Sequence, residues 1–274
     1  MAVNHLALKT SIAAKRSMLC VGLDSDPGKI PAQLRTEANP VLAFNRAIME
    51  ATAPYAVAYK INVAFYEAQG HKGWQTLEDT VAAAPKGIYL IADAKRGDIG
   101  NTASMYAEAF FKALPFDALT VHPYMGLDTL EPYLAHADKD LYVLACTSNP
   151  GFADFENLEL ANGRRLYEEV VVRCQAHPGA ARMHFVAGAT NMPQLASIRA
   201  LAPLQTLLVP GVGAQGGSLH DVCAAGLTQQ GSLLINASRS ILFASSGQDF
   251  AESAMLEAKK MQAEMGHILA EANL

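Results

Sequence analysis

Gly87-Ile-Tyr-Leu-Ile-Ala-Asp-Ala-Lys-Arg-Gly-Asp98 begins as a strongly apolar run and turns, at Asp93, into alternating carboxylates and cations. A run of this kind reads as a buried strand that carries charge to a site at its carboxyl end. Asp93 and Lys95 are two residues apart, so on an extended chain their side chains share a face, whereas Asp98 lies past the strand end and needs another placement. A salt-bridge cluster on an exposed loop would have the same local sequence, so the rest of the chain has to decide.

Seven further β-rich apolar runs recur with helix-length segments between them. They are Met18 to Leu23, Tyr55 to Ile61, Ala118 to Val121, Leu141 to Ala145, His184 to Ala187, Thr206 to Val209 and Ser232 to Asn236, with Ile88 to Ala92 as the third of eight. Eight strands alternating with helices, each nearly continuous in apolar residues, predict an α/β fold of the (β/α)8 TIM-barrel type. Helical apolar spacing covers Pro40 to Ala53 and Thr102 to Leu114, and Phe250 to Ala272 is a long amphipathic candidate with Lys259 and Lys260 on its polar side. The longest connection, roughly Asn149 to Met183, holds a helical Arg164 to Gln175 and is the candidate for a mobile flap. Without an internal repeat or a linker-like shift in composition, residues 1–274 read as one barrel domain.

At 274 residues, 51% hydrophobic and 17% charged, the chain has the composition of a globular protein. A net charge of -5 gives no electrostatic reason to expect nucleic acid as a partner. Lys9, Lys15 and Arg16 break the N-terminal apolar stretch, which argues against a signal peptide or membrane span and for the cytoplasm. The four cysteines form no CxxC pair and the eight histidines no HxH or HExxH spacing, so reduced core thiols are expected and a His-rich zinc site is not.

A barrel of this type gathers its chemistry where the carboxyl ends of the strands meet. Strand one ends in Gly22-Leu-Asp24, strand two in Lys60-Ile-Asn62, strand three in Asp93-Ala-Lys95 and strand five in Thr147-Ser148. Two carboxylates and two ammonium groups therefore converge on one mouth. Strands seven and eight end in Pro210-Gly-Val-Gly-Ala-Gln-Gly-Gly217 and Asn236-Ala-Ser-Arg239. Glycines let backbone N–H groups approach an anion and Arg239 can offer a bidentate fork, so the expected ligand is a phosphate ester. His122 ends strand four and reads as a strand-end polar residue, and Trp74 reads as packing.

These residues resemble the orotidine 5'-phosphate decarboxylase family, in its longer bacterial subgroup with a DAKRGDI motif followed by Thr-Ala. Here the motif is Asp93-Ala-Lys-Arg-Gly-Asp-Ile-Gly-Asn-Thr-Ala103, with Gly100 where short members of the family have proline. The resemblance extends in order through Gly22-Leu-Asp24, Lys60, Ser148-Asn-Pro-Gly151, Pro210 to Gln215 and Arg239. It implies decarboxylation of orotidine 5'-phosphate to uridine 5'-phosphate (UMP) without metal or organic cofactor. By position Lys95 is the proton donor, Asp93 lies near the scissile carboxylate, and Lys60 bridges the carboxylates and a ribose hydroxyl. Asp24 then accepts from ribose, Ser148 bonds the pyrimidine edge, Pro210 belongs to the substrate-binding set, and Gln215 and Arg239 grip the phosphate. The same resemblance sends Asp98, Ile99 and Thr102 into the neighbouring subunit of a homodimer. Two other readings fit a barrel with these strand ends: a magnesium-dependent hexulose-phosphate synthase or ketogulonate-phosphate decarboxylase, and a nucleotide-binding barrel without chemistry.

Overall fold

A strand that is apolar on both faces needs cover on both, which a closed parallel sheet wrapped in helices supplies. The computed structural model, which describes residues 5–212, 217–229 and 231–274, has that arrangement. The strands are β1 (Leu19–Gly22), β2 (Ala58–Asn62), β3 (Tyr89–Arg96), β4 (Ala118–Val121), β5 (Asp140–Cys146), β6 (Met183–Ala187), β7 (Leu207–Pro210) and β8 (Leu233–Ala237). They close into one barrel in chain order, all parallel, with Leu19 of β1 opposite Ile235 of β8. All eight expected strands are present. Most shift by a residue or two at an end, and β3 differs most.

β3 continues to Arg96, past the end of its apolar run at Ala92. Backbone pairing does not stop where side chains become polar. Its ladder to β4 is irregular: Ala92 pairs with Leu119 and Arg96 with Val121, with a register shift between. Inside that bulge Lys95 has φ 47°, in the left-handed region that non-glycine residues rarely adopt.

The helix Pro40–Thr52 starts where Asn39 caps it, its side-chain oxygen accepting the Leu42 N–H at 3.1 Å, with proline in the first turn. It buries Val41, Phe44 and Ile48, spaced by three and four residues as a helix face requires. The C-terminal helix Phe250–Glu271 packs beside it, with Phe250 stacked on Phe44 at 5.4 Å between ring centres. Lys259 and Lys260 are exposed on its far side, as expected. The helix expected from Thr102 instead begins at Gly100 and widens into a π-turn over Ala109–Ala113. The wider turn lets the consecutive aromatic residues Phe110 and Phe111 both be buried. The helix expected from Arg164 starts at Leu166, where Glu168 accepts the Arg165 N–H at 2.9 Å.

An unanticipated helix, His5–Lys15, covers the amino-terminal end of the barrel. There the His5 ring lies on that of His184, 4.2 Å between centres, and His5 Nε2 bonds Thr206 Oγ1 at 2.6 Å. Burial first, and then the neighbouring His184, push the His5 pKa down to about 3. Tyr89 donates to Asp140 at 2.6 Å in the same buried polar layer. Among the described residues no helix is long and apolar enough to cross a membrane.

Candidate active site

The register of the barrel sets the charged side chains beside one another. Gly22 pairs with Lys60, and Asn62 with Asp93, so the ends of β1, β2 and β3 lie at one level. A Cβ at Gly22 would stand 2.0 Å from Ser238 Oγ, so any side chain there would have to turn that hydroxyl away.

Asp93 is the centre of the array. Lys60 Nζ donates to its Oδ2 at 2.6 Å, and Lys95 Nζ to its Oδ1 at 2.5 Å. Burial favours the neutral acid, but the two ammonium groups outweigh it and hold the Asp93 carboxyl well below the usual range. Lys60 is buried, which opposes its charge, and Asp93 and Asp24 more than offset this, so its pKa is raised. Asp24 Oδ1 stands 3.7 Å from Lys60 Nζ, an ion pair without a hydrogen bond, and remains a buried acceptor with no hydrogen-bond partner. Asn236 Oδ1, in the same cavity, is another.

That cavity is lined by Asp24, Lys60, Asp93, Pro210, Asn236 and Arg239. An adjoining one shares Lys60, Asp93 and Pro210 with it and extends past Lys95 and Thr120 to Ser148, beside the apolar Leu144, Val186 and Leu208. The two together form a cleft with a polar half, a charged middle and a half-apolar end. Arg239 opens the short helix Arg239–Leu242 and is exposed at the mouth. Gln215 lies outside the described residues. Ser148 follows β5 on a loop held from behind by Glu156, whose carboxylate accepts the Thr147 N–H at 2.7 Å and the Thr147 hydroxyl at 3.0 Å. The loop then makes a short 3-10 turn over Pro150–Asp154 before its helix.

Asp98, Ile99 and Thr102 are not brought into this cleft. Asp98 turns back on the chain, its Oδ1 accepting the Ile99 N–H at 2.8 Å, and Ile99 is 62% exposed. The turn outward begins at Gly97, where a Cβ would meet His122 Nε2 at 2.3 Å. His122 thus packs against the backbone of the motif, and it lines neither cavity. Arg96 points away as well, paired with Glu67 and lying over Tyr106 and Phe110.

Two contributors escaped the sequence reading. Thr120 accepts the Lys95 N–H at 2.9 Å and donates to Asp93 Oδ1 at 3.1 Å. Its only signal in the sequence is a hydroxyl in an otherwise apolar strand. Glu156 gives none, because its partner Thr147 lies nine residues away across an irregular loop.

The family described as Orotidine 5'-phosphate decarboxylase / HUMPS family matches residues 17–254 of this chain. A relative from Phocaeicola vulgatus named orotidine 5'-phosphate decarboxylase is 47% identical over 270 residues, covering 97% of this chain and 99% of the relative. One of the same name from Flavobacterium johnsoniae is 49% identical over 265 residues, or 96% and 97%. Among solved structures, Leishmania donovani OMP decarboxylase superposes with a TM-score of 0.80 at 38% identity, covering 96% of this chain and 99% of that one. With strand ends, cleft and relatives in agreement over nearly its whole length, the chain belongs to the orotidine 5'-phosphate decarboxylase / HUMPS family.

Proposed function

We propose that this chain converts orotidine 5'-phosphate to UMP and carbon dioxide, the last step of pyrimidine nucleotide synthesis, in the cytoplasm. The observation that carries the reading is a carboxylate held at both oxygens by ammonium groups, Lys60 on one side and Lys95 on the other, at the mouth of the barrel. The bond between ring carbon 6 and the substrate carboxylate breaks, its electron pair stays on carbon 6, and the Lys95 ammonium delivers a proton there. Lys95 regains its proton from water, which its side chain reaches at 48% exposure. Lys60 and Lys95 stabilise negative charge as it develops on the carbon. If the substrate carboxylate lies about 4 Å from Asp93, the two repel by about 4 kcal/mol at an effective dielectric near 20.

The open acceptor on Asp24 suits a ribose hydroxyl, and Ser148 and Pro210 face the pyrimidine. Arg239 and Gln215 take the phosphate, whose binding energy is remote from the reacting carbon and can be used to align the charged array. Asp98, Ile99 and Thr102 complete the site of a second subunit. Their position outside their own cleft supports this, as does the exposure of two large apolar side chains there, Ile99 and, on the helix that follows it, Met105.

Loss of the orotidine 5'-phosphate absorbance in the presence of chelator is the direct test. Turnover undiminished by chelator is expected. Both Asp93 oxygens already accept from ammonium groups, which would compete with a divalent cation for this carboxylate. A preparation inert towards orotidine 5'-phosphate but active, with magnesium, on a sugar phosphate through an enediolate would replace the proposal.

A further inference from the structure

β4 is Ala-Leu-Thr-Val, buried throughout, and Thr120 is its one polar side chain, 1% exposed. A threonine in such a strand commonly fills space as valine would. Here the hydroxyl is fully used. It accepts the Lys95 N–H at 2.9 Å and donates to Asp93 Oδ1 at 3.1 Å, with the Ala92 carbonyl a longer acceptor at 3.4 Å. Asp93 Oδ1 is also the oxygen that receives Lys95 Nζ at 2.5 Å. The contacts close a ring: Lys95 amide, Thr120 hydroxyl, Asp93 carboxylate, Lys95 ammonium.

The ring sits where the backbone is least comfortable. Among the described residues, the other non-glycine positive-φ positions, Arg16 and Asn273, lie just past helix ends, whereas Lys95 lies inside a strand. The register shift takes its N–H off the regular β3–β4 ladder, and the Thr120 hydroxyl is the acceptor that replaces the strand. A lysine has four side-chain torsions and much rotamer freedom to lose, so an ammonium that must meet one ring carbon needs anchoring at both ends.

We propose that Thr120 is a positioning residue for the decarboxylation, fixing through one hydroxyl both the left-handed backbone that aims Lys95 and the Asp93 oxygen that receives it. This rests on the reading of Lys95 as the proton donor. Space filling and positioning predict opposite orders of tolerance. If Thr120 only fills space, valine serves and serine leaves a gap. If it positions, serine serves and valine opens the ring.

The test compares kcat, KM and UMP affinity for wild type, Thr120→Val, Thr120→Ser and Lys95→Ala. Thr120→Val is expected to lose about 100-fold in kcat, the scale of a catalytic group displaced by about 1 Å, with KM and UMP affinity near wild type. Thr120→Ser is expected to stay within a few-fold of wild type. A Thr120→Val enzyme at wild-type kcat, or a Thr120→Ser enzyme as slow as it, overturns the proposal. If Thr120→Val does not fold, Thr120→Ala replaces it: a slow alanine beside a fast serine supports positioning, and equal rates overturn it. Lys95→Ala separates the two readings. Full turnover in that variant removes the proton-donor assignment and this proposal with it, whereas a dead Lys95→Ala beside a fast Thr120→Val removes only the role of Thr120.

Discussion

Asp93 accepts from two ammonium groups and a hydroxyl, and that crowding decides what single substitutions do. Lys95→Ala removes the proposed proton donor while Arg239 and Asp24 still line the cleft. Turnover should fall by several orders of magnitude while UMP binding remains measurable by titration; wild-type turnover in this variant would refute the assignment. Much of this site was legible in the sequence. Asp24, Lys60, Asp93 and Lys95 could be placed together because alternation along a strand fixes which face a side chain takes. Thr120 could not, since threonine is an ordinary strand residue and its hydroxyl matters only through a bulge that no side-chain pattern records. His122, read from the sequence as a strand-end polar residue, packs against Gly97.

Among the elements, strands were easier to read than the helices and connections that place them. A parallel strand buried on both faces leaves an unbroken apolar run, whereas His5–Lys15 buries only Leu8 and Ile12 and carries little helical pattern. Polar contacts help to dock it. His5 is neutral against His184, with Asp140 nearby favouring its charge and Lys9 opposing it. Because its folded pKa lies below the unfolded one, the unfolded chain binds a proton that the folded chain does not. This contribution is therefore complete above about pH 6.5 and declines as pH falls towards 3. Between pH 7 and pH 5 it should cost the folded state about 1–2 kcal/mol. His5→Gln, which can keep a bond to Thr206, should show a flatter dependence of melting temperature on pH over that range. Parallel curves for the two proteins would mean that the His5 ring is not what makes this helix acid-sensitive.

For the whole molecule, the two carboxylates of one cleft, Asp24 and Asp93, face Lys60 and Lys95 in its charged middle and Arg239 at its mouth, which leaves one excess positive charge. A second subunit contributing Asp98 would cancel that excess, so assembly would change the site's electrostatics as well as its shape. Homodimers of Asp98→Ala and of Lys95→Ala should each be inactive. After exchange, a mixed dimer has one site with both residues, so equal mixing should restore about a quarter of wild-type activity. Confirmed exchange without recovery would end the shared-site reading. The contact between Gly97 and His122 then acquires a genetic meaning. A methyl group at residue 97 must push the imidazole or bend the turn, and the residue carried by that turn is Asp98. If Asp98 completes the neighbour's site, a Gly97→Ala lesion would show a defect in trans, in the neighbour whose own sequence is intact.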